Sequence, residues 1–227
     1  FAVDFKGASM RSAAALAIAA QTPDGALRNV LRGVQLDEAV LAGSDLSNAD
    51  LCGASFRRVM LQNVLLRGAL LRQADLSGAG LMGTDLTGAD LTSAILDGAS
   101  LSEVSLTGAS LRGASLANVD LGGAKLAHAE MEDAYLPGAK LGNADFSRGG
   151  LPRDCNEAEL EGLQAPGRDL SQRTFVKARL AGANLAGANL AGSDLRGADL
   201  GGANLEVADL RGAKLDGAKL DGANLSS

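Results

Sequence analysis

A period of five residues runs through almost the whole chain and limits its fold more than any other feature. Counting from Leu31, every fifth residue through Leu151 is Leu, Phe or Met; of these 25 positions 22 are Leu, and the others are Phe56, Met131 and Phe146. A second run places Leu or Phe at every fifth position from Leu170 to Leu225. Two residues before each large residue of the first run, and of the second from Leu180 onward, stands a smaller one, most often Ala, as in Ala89-Asp90-Leu91. Neither regular element repeats this way, since a helix face returns every ~3.6 residues and a strand face every ~2. A short extended stretch turns the small residue and the Leu to the same side, but continued extension would carry the next pair to the opposite face. A bend must therefore fall in every pentad, and Gly two residues after the Leu, as at Gly78 and Gly83, supplies a backbone able to make it. Bends at equal intervals wind a chain into a solenoid whose coils stack around a continuous aliphatic column.

Stretches such as Ala49-Asp50-Leu51-Cys52-Gly53 and Ala183-Asn184-Leu185-Ala186-Gly187 carry a resemblance to the pentapeptide repeat family and its A-(D/N)-L-x-x pattern. The resemblance covers most of the chain and implies an all-β fold: a right-handed quadrilateral β-helix with four pentads, or twenty residues, per coil. The two runs then amount to about nine coils stacked at ~4.8 Å. This divides the chain into N-terminal pentads and a helix over 1–30, a first solenoid run over 31–151, an interruption over 152–169 and a second run over 170–227. Ser12 to Gln21 reads as a short helix, with Ser12 as N-cap and Pro23 beyond its end, placed to cap the first coil. From Leu151 to Leu170 is 19 residues, one short of four pentads. A loop or short helix is expected to interrupt the wall there, and Arg168 and Arg173 fall in slots that elsewhere hold small residues.

With coils of twenty residues, positions i and i+20 are stacked neighbours. Outward columns then read Asn184, Asn204, Asn224 as an amide ladder, and Arg179, Asp199, Lys219 as alternating charges. The same numbering puts Val40, Met60, Leu65 and Leu70 outward, Val40 and Met60 in one column and the two leucines on the next two faces. These four are candidate partner-binding residues, rimmed by Arg57, Arg58, Arg67 and Arg72. The competing explanation is that the N-terminal segment folds back over them.

Composition excludes several functions. A net charge of −6 with pI near 4.8, and 3% aromatic residues, opposes nucleic-acid binding through phosphate contacts. One His and two Cys leave too little for a transition-metal site, and nothing points to a cofactor. Cys52 and Cys155 lie about five coils or ~25 Å apart, beyond the ~7 Å a disulfide spans, so two free thiols are expected. The G-x-G-x-x-G spelled by Gly78 to Gly83 arises from overlapping repeats and lacks a strand-then-helix context. No segment reaches the ~20 apolar residues of a transmembrane helix.

A self-similar wall without a nucleophile–base pair argues against an enzyme. The expectation is a non-catalytic scaffold or accessory subunit that makes protein–protein contacts in a larger assembly. Family resemblance adds two finer readings. One is a photosynthetic membrane complex such as a photosystem in the chloroplast thylakoid lumen, consistent with a chain that starts at Phe1 as if processed; a bacterial cytoplasm or periplasm is the alternative location. The other is a DNA mimic that protects topoisomerases. The second suits an acidic rod, but residues 31–151 carry 14 acidic and 9 basic residues against 7 and 8 over 168–227, so the acidity is uneven.

Overall fold

The computed structural model describes residues 31–39, 41, 43–144, 146 and 150–226. The expected N-terminal helix and Val40 lie outside these residues. Within them every complete pentad makes one tight turn. The amide of the small residue donates back to the carbonyl of the preceding Leu, as from Ala39 to Leu36 at 2.9 Å and from Ala94 to Leu91 at 3.0 Å. The residue two after the Leu takes a positive φ, as a type II turn requires at its third position. Gly78, at +65°, does so without steric cost, whereas Val207 does so at +48° despite its branched Cβ.

The residue before the Leu completes the turn. Asp85 Oδ1 accepts from the Thr87 amide at 3.0 Å, Asp75 from Ser77 at 2.9 Å, and Asn189 from Ala191 at 3.0 Å. The recurrent Asp or Asn is thus explained locally: its short side chain satisfies an amide that the turn leaves open. That same residue forms the coil-to-coil bridge. Parallel bridges connect Gln35, Ser55, Asp75, Ile95, Ser115 and Tyr135 in steps of twenty, and likewise Asp154, Thr174, Asp194 and Lys214. Among the described residues the pairings are isolated bridges, one per pentad, and not extended strands.

The core is the column the period calls for. Leu36, Leu91, Leu141 and Leu200 are all fully buried, with Ala49, Ala94 and Ala198 beside the column. Burying one such Leu stabilises the fold by roughly 1.5–3 kcal/mol.

The segment 152–169 corrects the expected interruption. It forms neither a loop nor a helix: Cys155, Leu160 and Ala165 fill consecutive central slots with exposures of 0, 0 and 3%. Ala158 and Leu163 donate back to Cys155 and Leu160 to close ordinary turns. The lost residue comes from one pentad, Leu151-Pro152-Arg153-Asp154, which has four members and a simple bend at Arg153. The bridge Lys140–Glu159 accordingly spans 19 positions, and the twenty-residue step resumes from Asp154 to Thr174.

Candidate functional site

Met60, Leu65 and Leu70 point outward and are exposed by 53, 41 and 39%. Each stands in a different bridge column: Met60 is paired with Gly80, Leu65 lies between Asp45 and Asp85, and Leu70 between Asp50 and Asp90. They form a band around one coil and not one flat patch. Reading only the residue before each Leu misses Met82, which sits one residue after Leu81 and is 58% exposed. Gly80 is bridged to Met60, and the Met60 sulfur covers it, 3.2 Å from where a Cβ would stand. Gln62 Nε2 approaches that sulfur at 3.7 Å.

Three of the four arginines that flank the band are tied down by carboxylates of the next coil. Arg67 and Arg72 pair with Asp85 and Asp90, and Arg57 with Asp75 at 3.5 Å. Burial pushes the Asp85 carboxyl up, but hydrogen bonds from Thr87 and the Arg67 guanidinium outweigh it and hold the group below its usual range. Asp90 is held down likewise by Thr92 and Arg72 against its burial. In the second run Arg196 grips Asp194 and Arg211 grips Asp209, both at 2.7 Å, and these hydrogen bonds lower the two carboxyls to about 2.

The columns read from the sequence are present with one change of partner. Asn224 Nδ2 donates to Asn204 Oδ1 at 3.2 Å, and Asn204 to Asn184 at 3.5 Å, a continuous amide ladder. Lys219 meets Asp199 at 3.5 Å, but Arg179 turns to Glu159 and Glu161 instead.

A second feature lies at the short pentad, where the wall is recessed by a groove of 790 Å³ between the coil of Met131 and the coil of Leu170. Its floor includes Leu151 and Arg173, and a smaller cavity of 310 Å³ adjoins it beside Phe146 and Ala165. Arg173 stands in a slot that elsewhere holds Ala or Ser; its Nη1 donates to the Leu151 carbonyl at 2.5 Å. Cys155 lies close by, fully buried, with Sγ 3.4 Å from the Pro152 carbonyl, and burial pushes its thiol up to about 12 in spite of the Arg173 charge. Both cysteines are free thiols. Among the described residues no helix is long and apolar enough to cross a membrane.

Coils of twenty residues joined by recurrent parallel bridges, with Asp or Asn capping many of the turns, define a pentad-built β-helical solenoid. The family comparison agrees: the model for pentapeptide repeats matches in eight copies over 30–148 and 169–226, and the chain belongs to this family. Among solved structures, HetL, a pentapeptide repeat protein involved in heterocyst differentiation regulation from the cyanobacterium Nostoc sp. strain PCC 7120, is 33% identical; the match covers 85% of this chain and 87% of HetL, with a TM-score of 0.46. The plasmid-mediated fluoroquinolone resistance protein QnrB1 matches at 22% identity over 83% of this chain and 85% of its own, with a TM-score of 0.37. A pentapeptide repeat protein from the Arabidopsis thaliana thylakoid lumen is 30% identical over 55% of this chain and 72% of its own, with a TM-score of 0.31. No curated protein sequence matches.

Proposed function

We propose that the chain is a non-catalytic scaffold or accessory subunit that docks onto a protein partner through its early coils. The observation that carries this reading is the band of Met60, Leu65 and Leu70, joined by Met82, on a wall whose stability needs nothing apolar outside. The column of inward Leu and Ala supplies the stacking energy. Exposed aliphatics and flexible methionines, rimmed by arginines held in place by carboxylates, have the make-up of an interface core within a polar margin. The partner assembly is a photosynthetic membrane complex of the thylakoid lumen in the finer version of this reading, which rests on the family resemblance. Mimicry of DNA is the weaker alternative. A mimic must present unneutralised carboxylates, whereas Asp50, Asp75, Asp85 and Asp90 each carry an arginine from the preceding coil.

The test is the double variant Met60→Ser/Leu65→Ser, compared with the native chain in affinity purification from its source organism. Both positions are exposed, so the melting temperature should change little, and recovery of the partner should fall because apolar anchors carry much of an interface's energy. A lowered melting temperature in the isolated protein would mean that the band is covered from within. Unchanged stability with unchanged recovery would remove the band from the interface, and co-purified gyrase subunits would favour mimicry.

A further inference from the structure

The exposed band of the early coils has a shape that limits what can cover it. Four like turns bring the chain back to its starting column, so each pentad swings the outward direction by a quarter turn. The columns of Ser55, Met60, Leu65 and Leu70 thus take the four sides of the rod in order. Met60 and Leu70 point to opposite sides, and Leu65 faces the side between them. All three are exposed aliphatics at one height on the rod, whereas the next coil places Gly80, Asp85 and Asp90 in the same columns. The fourth side interrupts the band. There Ser55 is buried, and its hydroxyl donates to the Asp37 carboxylate. The same coil is set apart by charge, since residues 51–74 hold Arg57, Arg58, Arg67 and Arg72 and no carboxylate. Arg57, Arg67 and Arg72 reach carboxylates of the next coil, but Arg58, two residues before Met60, has no ion pair among the described residues.

We propose that the partner is a protein that clamps this coil on three sides, with an apolar lining over Met60, Leu65 and Leu70, a carboxylate at Arg58 and its opening at the Ser55 side. A flat surface, whether a protein face or a layer of lipid headgroups, reaches one side of the rod and so one of the three aliphatics. One such anchor is too little for the apolar core of a stable interface, where a cluster of desolvated side chains carries the energy. All three are covered together only by a surface that curves around the coil. A planar carboxylate matches the free guanidinium fork of Arg58. The clamp rests on the docking role proposed above and adds the shape and the charge of what docks.

The test places a photo-crosslinker on one side of the rod at a time. In the full chain carrying Cys52→Ser, a benzophenone maleimide is attached through Met60→Cys, Leu65→Cys, Leu70→Cys or Ile95→Cys, while the buried Cys155 stays unlabelled. Ile95 is exposed and belongs to the column of Ser55, so it marks the open side. Each labelled chain is irradiated in extract of the source organism, and the adducts are identified by mass spectrometry. The same partner polypeptide is expected from positions 60, 65 and 70, with a yield about tenfold lower or less from position 95. Adducts from only one of positions 60 and 70, or different polypeptides from the two, overturn the clamp and leave docking on one side. Equal yield from position 95 overturns it as well, since the adducts would then follow exposure alone. No adduct from any position overturns the docking role together with the clamp. Arg58→Gln, at an exposed position, should lower the yield at position 60 and leave the melting temperature unchanged. An unchanged yield overturns the carboxylate contact.

Discussion

The coil that begins at Leu91 and the coil that closes at Asp154 are built from the same pentad, yet they differ in how firmly they hold their neighbours. Around Leu91 each pentad ties itself to the coil below and closes its own turn: Leu91 donates to Ser110 at 2.7 Å, Ser93 to Arg112 at 2.9 Å and Ala94 to Leu91 at 3.0 Å. Across the short pentad, by contrast, only Leu141 to Glu159 and Glu159 to Ala139, both at 2.8 Å, join the upper coil to the lower among the described residues. One missing residue has this effect because stacking needs every coil to have equal length. A coil of nineteen brings one side into register and leaves the adjoining sides apart. The period of five is therefore a mechanical condition as much as a hydrophobic one, and among the described residues the backbone hydrogen bonds that cross the short pentad lie along one face.

The largest expected effect separates the cores of the two regions. Leu91 is fully buried in continuous packing, so Leu91→Ala should cost near the top of the ~2–5 kcal/mol range for such truncations. Leu151 already borders two cavities and keeps 6% exposure, and Leu151→Ala should fall near the bottom of that range. Chemical denaturation of the two variants checks this; equal losses would mean that the groove does not loosen its surroundings.

Next in size is local opening. In Cys52→Ser the one remaining thiol is Cys155, which labels only when its surroundings open because it is buried and protonated. If the junction yields before the whole rod, labelling should run roughly 10²-fold faster than global unfolding permits. Exchange of the Met131 and Asp133 amides should outpace that of Leu111 and Gly113. A labelling rate equal to the global unfolding rate would show that the junction does not open ahead of the rest.

How much of this could be read in advance follows the same division. Regular coils were legible because Leu and Ala declare their slots at every fifth position, and the bridge columns, the amide ladder and the shortfall of one residue all followed from counting. The short pentad was misread because the residues holding its central slots did not look the part. Cys155 and Ala165 are not large aliphatics, and Leu163 takes a small-residue slot, so a continuous coil resembled an insertion. Leu160, ten before Leu170, was the signal that the second phase already held there. At the early coils the exposed band was legible but Met82 was not, since its slot, one after the Leu, varies freely elsewhere. The groove left no signal in the sequence beyond Arg173 in an Ala slot, because it depends on which carbonyls lose register.

Smaller effects distinguish the small-residue slots of the two runs. Ser44 Oγ donates to the Leu41 carbonyl and is satisfied, whereas Ser193 Oγ is buried with no partner. Ser44→Ala should therefore cost about 0.5–1.5 kcal/mol, and Ser193→Ala should be neutral or stabilise by about 1 kcal/mol. Thermal melts of the two variants moving in the same direction would contradict this contrast.

The smallest effect belongs to the surface carboxylates and has a defined pH window. Asp194 and Asp209 are lowered to about 2, first by the side-chain hydrogen bonds from Arg196 and Arg211. Because the folded value lies below the unfolded value of about 3.9, the folded state binds fewer protons between the two. Stability from these groups is then complete above about pH 4 and is lost as pH falls towards 2. Both carboxylates sit at the surface beside well-exposed arginines, so salt should reduce the effect. Carboxyl chemical shifts of the two residues should titrate with midpoints near 2. The double variant Asp194→Asn/Asp209→Asn should melt closer to the native chain at pH 2 than at pH 6. The asparagines retain an acceptor for the turn amide, as Asn189 shows, so the change isolates the ion pair from the cap. A difference that stays constant from pH 6 to pH 2 would assign the stabilisation to the turn alone. The second run would then owe nothing to its charges, and what sets it apart from the short pentad would be equal coil length by itself.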